Sequence, residues 1–578
     1  MTGGLSTALL LSGFLCVQRG VALAQDDPRP ADPPADASKP ADSPPQPDTL
    51  GRPPEATRSV PDWAADARWY YVVIPRFHNG DPANDPEGTV PWTAESAPSA
   101  RSTGEADGRG NETEPVPREV RRDGGDLQGL AKRLPYLKQL GINALCLSPI
   151  FHGMGEAHVG GIDRRHADAA VGVKGGLAEL NDETDDPRTW KFSACDRVFL
   201  DFLKEAHQQG FRVVLRGLLG TARGVIDSTG ESETHLLHVT RRWMDPNGDG
   251  DPADGVDGWV YSLAEQFRQT TDGFSEAFWK RWRETAKRVN PDALLVGNPP
   301  RSLGKDADNP FDVAIDLRAS SLIANFLSPT EKDAKLQRFF EALTGAAPRS
   351  PGRKTTGDWI MLSAIRGARA LTLLREPTTS NDDARDRWRL ATIFQHFSIG
   401  APVTYYGDEV GMFGPTDVDS ESPMWWNDLP DAATKSVDYR GDFYALIQRL
   451  HGLRARYPAL RQGSFRPVLL DEERKVLAFA RSLPGDEVIL VMNYGGTKHE
   501  VQLSAGTPGQ LVALLSPQVK RPSPSAKVPT DSAPSDLTKL APLHMGGSRQ
   551  FVDAEGRISV WVNPMSVRVI LLNDKSKP

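Results

Sequence analysis

Cysteine is nearly missing from this chain: its 578 residues include only Cys16, Cys146 and Cys195. No spacing of Cys with Cys or His suggests a zinc site. So few thiols allow one bridge at most, and no disulfide framework. Basic excess is missing as well. Lys and Arg total 68 against 76 Asp and Glu, a net charge of −8, and no long basic run offers itself to nucleic-acid phosphates. Long apolar runs are confined to the extreme N-terminus, so no spanning helix is expected in the body of the chain. What remains is ordinary globular composition, 39% hydrophobic and 25% charged, which excludes collagen, coiled coil and wholesale disorder.

Residues 1–24 read as an export signal, with an apolar Leu5–Val17 stretch and a small-x-small site at Ala22-Leu23-Ala24. A periplasmic or extracellular location follows as the expectation. Cys16 is a poor lipid-attachment residue, because bulky Leu15 precedes it. Residues 25–61 hold eleven of the 47 prolines among Ala, Asp and Ser, a composition that cannot build a core and reads as an extended linker.

From Trp69 the pattern changes to alternating apolar strands and amphipathic helices. Asp126 to Gly141 has helical spacing of Leu127, Leu130, Leu134, Leu137 and Leu140 and ends on a glycine. Expected strands are Trp69–Ile74, Ile142–Leu147, Phe211–Leu215, Ala293–Gly297, Phe311–Leu317, Trp359–Leu362 and Pro402–Tyr406. Near-continuous apolar strands separated by helices predict a parallel sheet, and eight such units predict a (β/α)₈ TIM barrel over residues 62–462 with loop insertions. Over residues 463–578 the helices stop. Short strands at Val468–Leu470, Val476–Ala480, Val488–Met492, Val501–Leu503, Leu511–Leu515, Ile558–Val562 and Val567–Leu572 predict an antiparallel β-sandwich, interrupted by a Pro/Ser-rich loop near 520–534.

Several segments in order carry a resemblance. They are Ile74-Pro75-Arg76-Phe77 with Asn79-Gly80-Asp81-Pro82-Ala83-Asn84-Asp85, then Gly125-Asp126-Leu127-Gln128-Gly129 and Leu147-Ser148-Pro149-Ile150-Phe151. Asp257-Gly258-Trp259 and Tyr405-Tyr406-Gly407-Asp408-Glu409-Val410-Gly411-Met412 complete the set. Together they resemble the α-amylase family, glycoside hydrolase family 13, near its neopullulanase and cyclomaltodextrinase members, over roughly residues 68–573. The resemblance implies retaining chemistry on α-glucans, with a carboxylate nucleophile, a general acid and a third acid at the strand ends.

At those positions the chain departs from the family. The strand-3 Asp is replaced by Arg216, with Gly220 and Thr221 where the family has Asn-His. The strand-4 motif reads Gly258-Trp259-Val260-Tyr261-Ser262, so Ser262 stands for the nucleophile. Asn298 stands for the general acid, and Arg366, followed by a retained Arg369, stands for the third acid. Ser262 has no neighbouring His-Asp pair to activate it, and Asn298 has no titratable proton to give. Alternation along the strand aims Tyr261 away from the face of Ser262. The expectation is a catalytically degenerate, exported protein that binds carbohydrate. The alternatives are an active hydrolase of the α-amylase or neopullulanase type, and a non-catalytic envelope protein with a protein partner.

Two arginines among the replaced acids suit an anionic or modified saccharide, or else they pair with nearby Asp and Glu. Substrate contacts are expected from Arg216, Arg366, Arg369, Trp259 and Trp425. The oxygen-rich loop of Asn79, Asp81, Asn84 and Asp85 suits Ca²⁺, which family members bind there, or is a turn capped by its own side chains. Asp245-Pro246-Asn247-Gly248-Asp249-Gly250-Asp251 opens like an EF-hand loop, but Val256 stands where the closing Glu belongs, so a solvated acidic turn is preferred. Glu409 reads as structural, and the histidines His152, His158 and His166 have no ligand spacing.

Overall fold

The protein is described from a computed structural model. Described residues are 60–87, 89, 123–153, 163–178, 180, 182–217, 233–261, 276–297, 309–328, 336–345, 359–360, 381–412, 423–424, 426, 441–517 and 547–572, all within the unit Pro53–Pro578. The expected signal and nearly all of the proline-rich linker lie outside them. Among the described residues no helix is long and apolar enough to cross a membrane.

Residues 69–405 close a parallel barrel. Strands β1 (Trp69–Val72), β2 (Ala144–Leu147), β5 (Arg212–Arg216), β6 (Gly258–Tyr261), β7 (Leu294–Gly297), β8 (Trp359–Ile360) and β9 (Ala401–Tyr405) form one sheet in the order β7-β6-β5-β2-β1-β9-β8. The remaining gap is bridged by parallel pairings Val296↔Val313 and Ile315↔Trp359. The expected sixth strand is therefore reduced to two bridging residues. Its Asp312 instead takes ion pairs from Arg283 (2.7 Å) and Lys287 (2.9 Å), and helix α6 (Leu317–Phe326) begins where the strand was expected to end. Strands β3 (Phe151–His152) and β4 (Asp163–Ala167) form a separate antiparallel pair.

Alternation splits each barrel strand into two layers. Trp69, Tyr71, Cys146, Val214, Val260, Val296, Trp359 and Val403 fill the barrel interior. Their neighbours Tyr70, Leu145, Val213, Leu215, Trp259, Tyr261 and Leu295 face the helices instead. Against that outer layer packs α2 (Leu127–Leu140), whose five expected leucines are all fully buried. Asp126 caps its first turn by accepting from the Gly129 amide, and Gly141 (φ 95°) terminates it. The loop at residues 78–80 crosses this helix start closely. A Cβ on Gly129 would lie 1.9 Å from the His78 carbonyl oxygen, so only glycine fits there.

Helices α3 (Ala194–Gln208), α4 (Glu233–Met244) and α5 (Glu276–Val289) continue the outer ring. They are followed by α6, α7 (Leu336–Gly345), α8 (Asn381–Phe397), α9 (Gly441–Arg456) and the short α10 (Ala459–Gln462). The β region then begins at Ser464. Strands β10 (Ser464–Asp471), β11 (Val476–Leu483), β12 (Asp486–Asn493), β17 (Ser566–Leu571), β14 (Leu511–Leu515) and β15 (Ser548–Phe551) form a six-stranded sheet in that order. A second sheet pairs β13 (His499–Ser504) with β16 (Arg557–Val562), and Val476, Ile489, Val501, Leu503, Val560 and Ile570 fill the space between. The opposite face of the large sheet shares a core with α6 to α9, joining Leu477, Phe479 and Leu490 to Phe340, Phe394 and Leu446. At this seam Arg481 and Arg454 are buried, and both donate to backbone carbonyls, Arg454 to His396 (2.7 Å) and Arg481 to Gly463 (3.0 Å). Guanidinium groups on otherwise unpaired helix-end carbonyls satisfy both partners.

Candidate functional site at the barrel mouth

Parallel barrels present their chemistry at the C-terminal ends of the strands. The last inward position of β5 is Arg216, half-buried, whose guanidinium donates to the Tyr71 hydroxyl at 3.3 Å. Tyr71 stacks on Tyr405 with ring centres 5.1 Å apart. Below them sits Cys146, whose thiol is held far above its ordinary pKa by burial against the opposing pull of Arg216, so it is no nucleophile. Cys146 and Cys195 are both free and buried, so the bridge that two cysteines allowed is not made.

The strand ends at the mouth are in register. Arg216 pairs with Val260, and Tyr261 pairs with Gly297. Ser262 and Asn298 therefore directly follow two strand ends that are in register with each other. Ser262, Asn298, Arg366, Arg369 and Trp425 themselves lie outside the described residues. Tyr261 faces the helices, between Trp282 (5.1 Å) and Trp279 (5.8 Å), and burial pushes its hydroxyl far up from the usual phenol value. It points away from the mouth, as the alternation along the strand predicts.

Trp259 corrects an expectation. It is 1% exposed and stacks on Tyr261 in the outer layer. It shares the parity of Tyr261 rather than that of Val260, so it supports the wall and cannot touch a saccharide at the mouth. Trp426, beside Trp425, is also an anchor. Its indole donates to the Phe77 carbonyl at 2.7 Å, with the Arg133 guanidinium 3.9 Å above the ring.

Loop 79–85 is tied to α2 through Asp126, which accepts from the amides of Gly80 (3.0 Å) and Asp81 (2.8 Å) and from the Asn84 side chain (3.2 Å). Asn79 donates to both oxygens of Asp85, at 2.9 and 3.0 Å, and Asp81 caps the Ala83 amide. The buried Oδ1 atoms of Asn79 and Asn84 accept no hydrogen bond. Orphaned buried oxygens beside a carboxylate fit a hard cation, with Asn79, Asn84 and Asp85 as the donors. Among the described residues no group of three or more His, Cys, Asp or Glu is disposed to hold a metal ion, so the set rests on carboxamide oxygens. The second acidic loop is a self-capped turn. Gly250 donates to Asp245 (3.2 Å) and Asp251 to Asp249 (2.7 Å), while Val256 is fully buried. Asp257 is committed to His207 (2.8 Å) and Arg212 (2.6 Å).

Two buried networks went unseen in the sequence. His166 lies between Asp196 (2.8 Å) and Glu183 (2.7 Å), and Arg242 joins at Asp196 (3.2 Å). Although burial favours the neutral ring, the two carboxylates raise the pKa of His166. The partners lie 30, 17 and 76 positions away, so no local spacing announces them. The second network holds Glu409, which accepts from Tyr70 (2.5 Å), Tyr136 (3.1 Å) and the Gly407 amide (3.0 Å). Burial pushes its carboxyl up to about 7. A folded pKa above the unfolded value favours the protonated form. The stabilisation is whole below about 4.5 and is lost as pH rises through about 7, at most about 3 kcal/mol. The thermal midpoint is therefore expected to fall between pH 5 and pH 8, and Glu409→Gln to flatten the slope. The raised His166 and His207 act in the same direction, so the difference between the two chains is what isolates Glu409.

Comparison with known proteins agrees with this geometry. The α-amylase catalytic domain profile matches residues 72–164. Neopullulanase 2 of Thermoactinomyces vulgaris is 28% identical over 485 residues, covering 78% of this chain and 73% of that protein. A cyclomaltodextrinase from Bacillus sp. is 26% identical over 476 residues, covering 77% and 76%. Among solved structures, an Anoxybacillus α-amylase superposes with a TM-score of 0.60 at 18% identity, covering 89% of this chain and 99% of that one. The cyclic α-maltosyl-(1→6)-maltose hydrolase of Arthrobacter globiformis gives 0.58 at 21% identity, covering 89% and 100%. Barrel, order of motifs and relatives converge on one likeness: the chain is similar to the α-amylase family, glycoside hydrolase family 13, and to its neopullulanase and cyclomaltodextrinase members.

Proposed function

We propose that this chain is an exported carbohydrate-binding member of its family, a pseudo-glycosidase that holds an α-glucan or modified saccharide at the barrel mouth without cleaving it. The observation that carries the reading is the register at β6 and β7. Gly258-Trp259-Val260-Tyr261 and Leu294-Leu295-Val296-Gly297 are aligned pair by pair, and in sequence neither strand is followed directly by an acid, since Ser262 and Asn298 stand next. Without a carboxylate at either place, neither glycosyl-ester formation nor protonation of the leaving oxygen has a donor. Arg216 at the mouth suits a saccharide bearing a carboxylate or sulfate. Calorimetry with maltoheptaose, β-cyclodextrin and sulfated maltooligosaccharides, alongside a reducing-end assay, tests this. Binding without product is the expected result, and Arg216→Ala should weaken the sulfated ligand most.

One observation favours a second reading, an active α-glucan hydrolase: the relatives covering three-quarters of the chain carry the names of hydrolases. The same assay decides between them. Calcium at Asn79, Asn84 and Asp85 belongs to the proposal in either case. The ion would supply charge to pin the loop against α2. Millimolar Ca²⁺ is expected to stabilise the unaltered chain, by about 2.7 kcal/mol at one hundred times the dissociation constant, and so to raise its thermal midpoint. Asp85→Ala should remove that response.

A further inference from the structure

The β13–β16 sheet turns one face to the core and the other to solvent. Val501, Leu503, Ile558, Val560 and Val562 point inward. On the opposite parity, Glu500 pairs with Trp561, Gln502 with Ser559 and Ser504 with Arg557. Trp561 is 50% exposed, whereas the other exposed large apolar side chains among the described residues, Leu511 and Phe551, face each other across β14 and β15 as an apolar pair. Trp561 is set instead among hydrogen-bonding groups. Ser559 donates to Glu500 at 2.6 Å, and the Lys498 ammonium lies 4.5 Å from the indole centre.

We propose that this face is a second carbohydrate site, in which Trp561 is the stacking platform for a neutral α-glucan chain. The ligand class follows from the chemistry. Glu500 and Lys498 flank the ring with opposite charges, and Arg568 donates to the Trp561 carbonyl at 3.3 Å, so the aromatic face rather than a one-signed cluster sets the ligand class. A flat apolar surface rimmed by a carboxylate, an amide, a hydroxyl and an ammonium matches a pyranose ring, with its C–H face on the indole and its hydroxyls outward. Successive outward rows stand about 7 Å apart along the strands, so a ring on Trp561 has its hydroxyl rim within reach of Gln502 and Ser559. Lys498 is exposed on a flexible stem and can leave the indole face to donate to a hydroxyl. The site rests on the reading that the chain handles α-glucan, but it lies on the β region and needs no residue of the barrel.

The test is electrophoretic retardation of the full chain in gels containing amylopectin or pullulan. Trp561→Ala should raise the apparent dissociation constant about tenfold, a loss of about 1.4 kcal/mol. Trp561→Phe should recover most of the retardation, and both variants should keep the thermal midpoint of the unaltered chain. Retardation that survives Trp561→Ala but vanishes with Arg216→Ala would assign all binding to the barrel and overturn the proposal. An unaltered chain that is not retarded at all would also overturn it. Calorimetry of maltoheptaose on the Trp561→Ala chain reports separately on the barrel.

Discussion

Turnover of maltoheptaose and β-cyclodextrin by the unaltered chain is expected to lie at least about 10⁴-fold below that of the same chain carrying Ser262→Asp, Asn298→Glu and Arg366→Asp together. General acid–base catalysis alone is worth about 10²–10⁴, and a missing nucleophile compounds the loss, because groups that act as a unit fail together. The resemblance assigns the family's acids to these three positions, and in sequence two of them directly follow Tyr261 and Gly297, which pair at adjacent strand ends. A sensitive reducing-end assay on both chains is sufficient. Rapid turnover by the unaltered chain, undiminished by Ser262→Ala and Asn298→Ala, would replace the binding reading with that of a hydrolase working through other residues. If neither chain turns over, the loss extends to Arg216 and Val260, where the family has Asp and Arg.

Asp196→Ala should be the most damaging single substitution among the described residues, lowering stability by about 3–5 kcal/mol. Asp196 has no exposure and accepts from the amides of Ala167 (2.7 Å) and Ser193 (2.8 Å), from His166 and from Arg242. It also closes the capping box that starts α3. Its removal strands a buried guanidinium and an imidazole together with two amides, and the cost of leaving such groups unpaired exceeds that of the contacts themselves. The thermal midpoint is expected to drop on the order of 5–10 °C. A drop near 1 °C would mean that water replaces the carboxylate.

The barrel was legible in the sequence wherever burial on both strand faces writes a continuous apolar run, as at Trp69–Val72 and Leu294–Gly297. Legibility failed where polar residues intervene. Asp312 turns the expected Phe311–Leu317 strand into two bridges, and β15, Ser-Arg-Gln-Phe, has no apolar pattern because it is an exposed edge. Trp259 was misplaced although the alternation argument that correctly turned Tyr261 outward applies to it equally. The His166 network was illegible for another reason, since its partners come from α3, α4 and a loop that only the fold brings together. At the mouth itself Arg216 was readable because it ends an apolar strand, and its contact with Tyr71 and the stacking of Tyr71 on Tyr405 were not, because they join residues 145 and over 300 positions apart.

The two parities of the barrel strands have a consequence for how such a chain changes over time. Residues that hold the wall, such as Trp259, Tyr261, Val213 and Leu295, alternate with those that face the lumen. Selection on packing and selection on chemistry therefore act on interleaved but separate letters of the same strands. Acids gathered at one mouth repel one another, and giving them up costs activity while relieving the fold. A lineage can then shed a reaction in a few steps and keep its architecture, leaving the pocket free to be recruited for recognition alone.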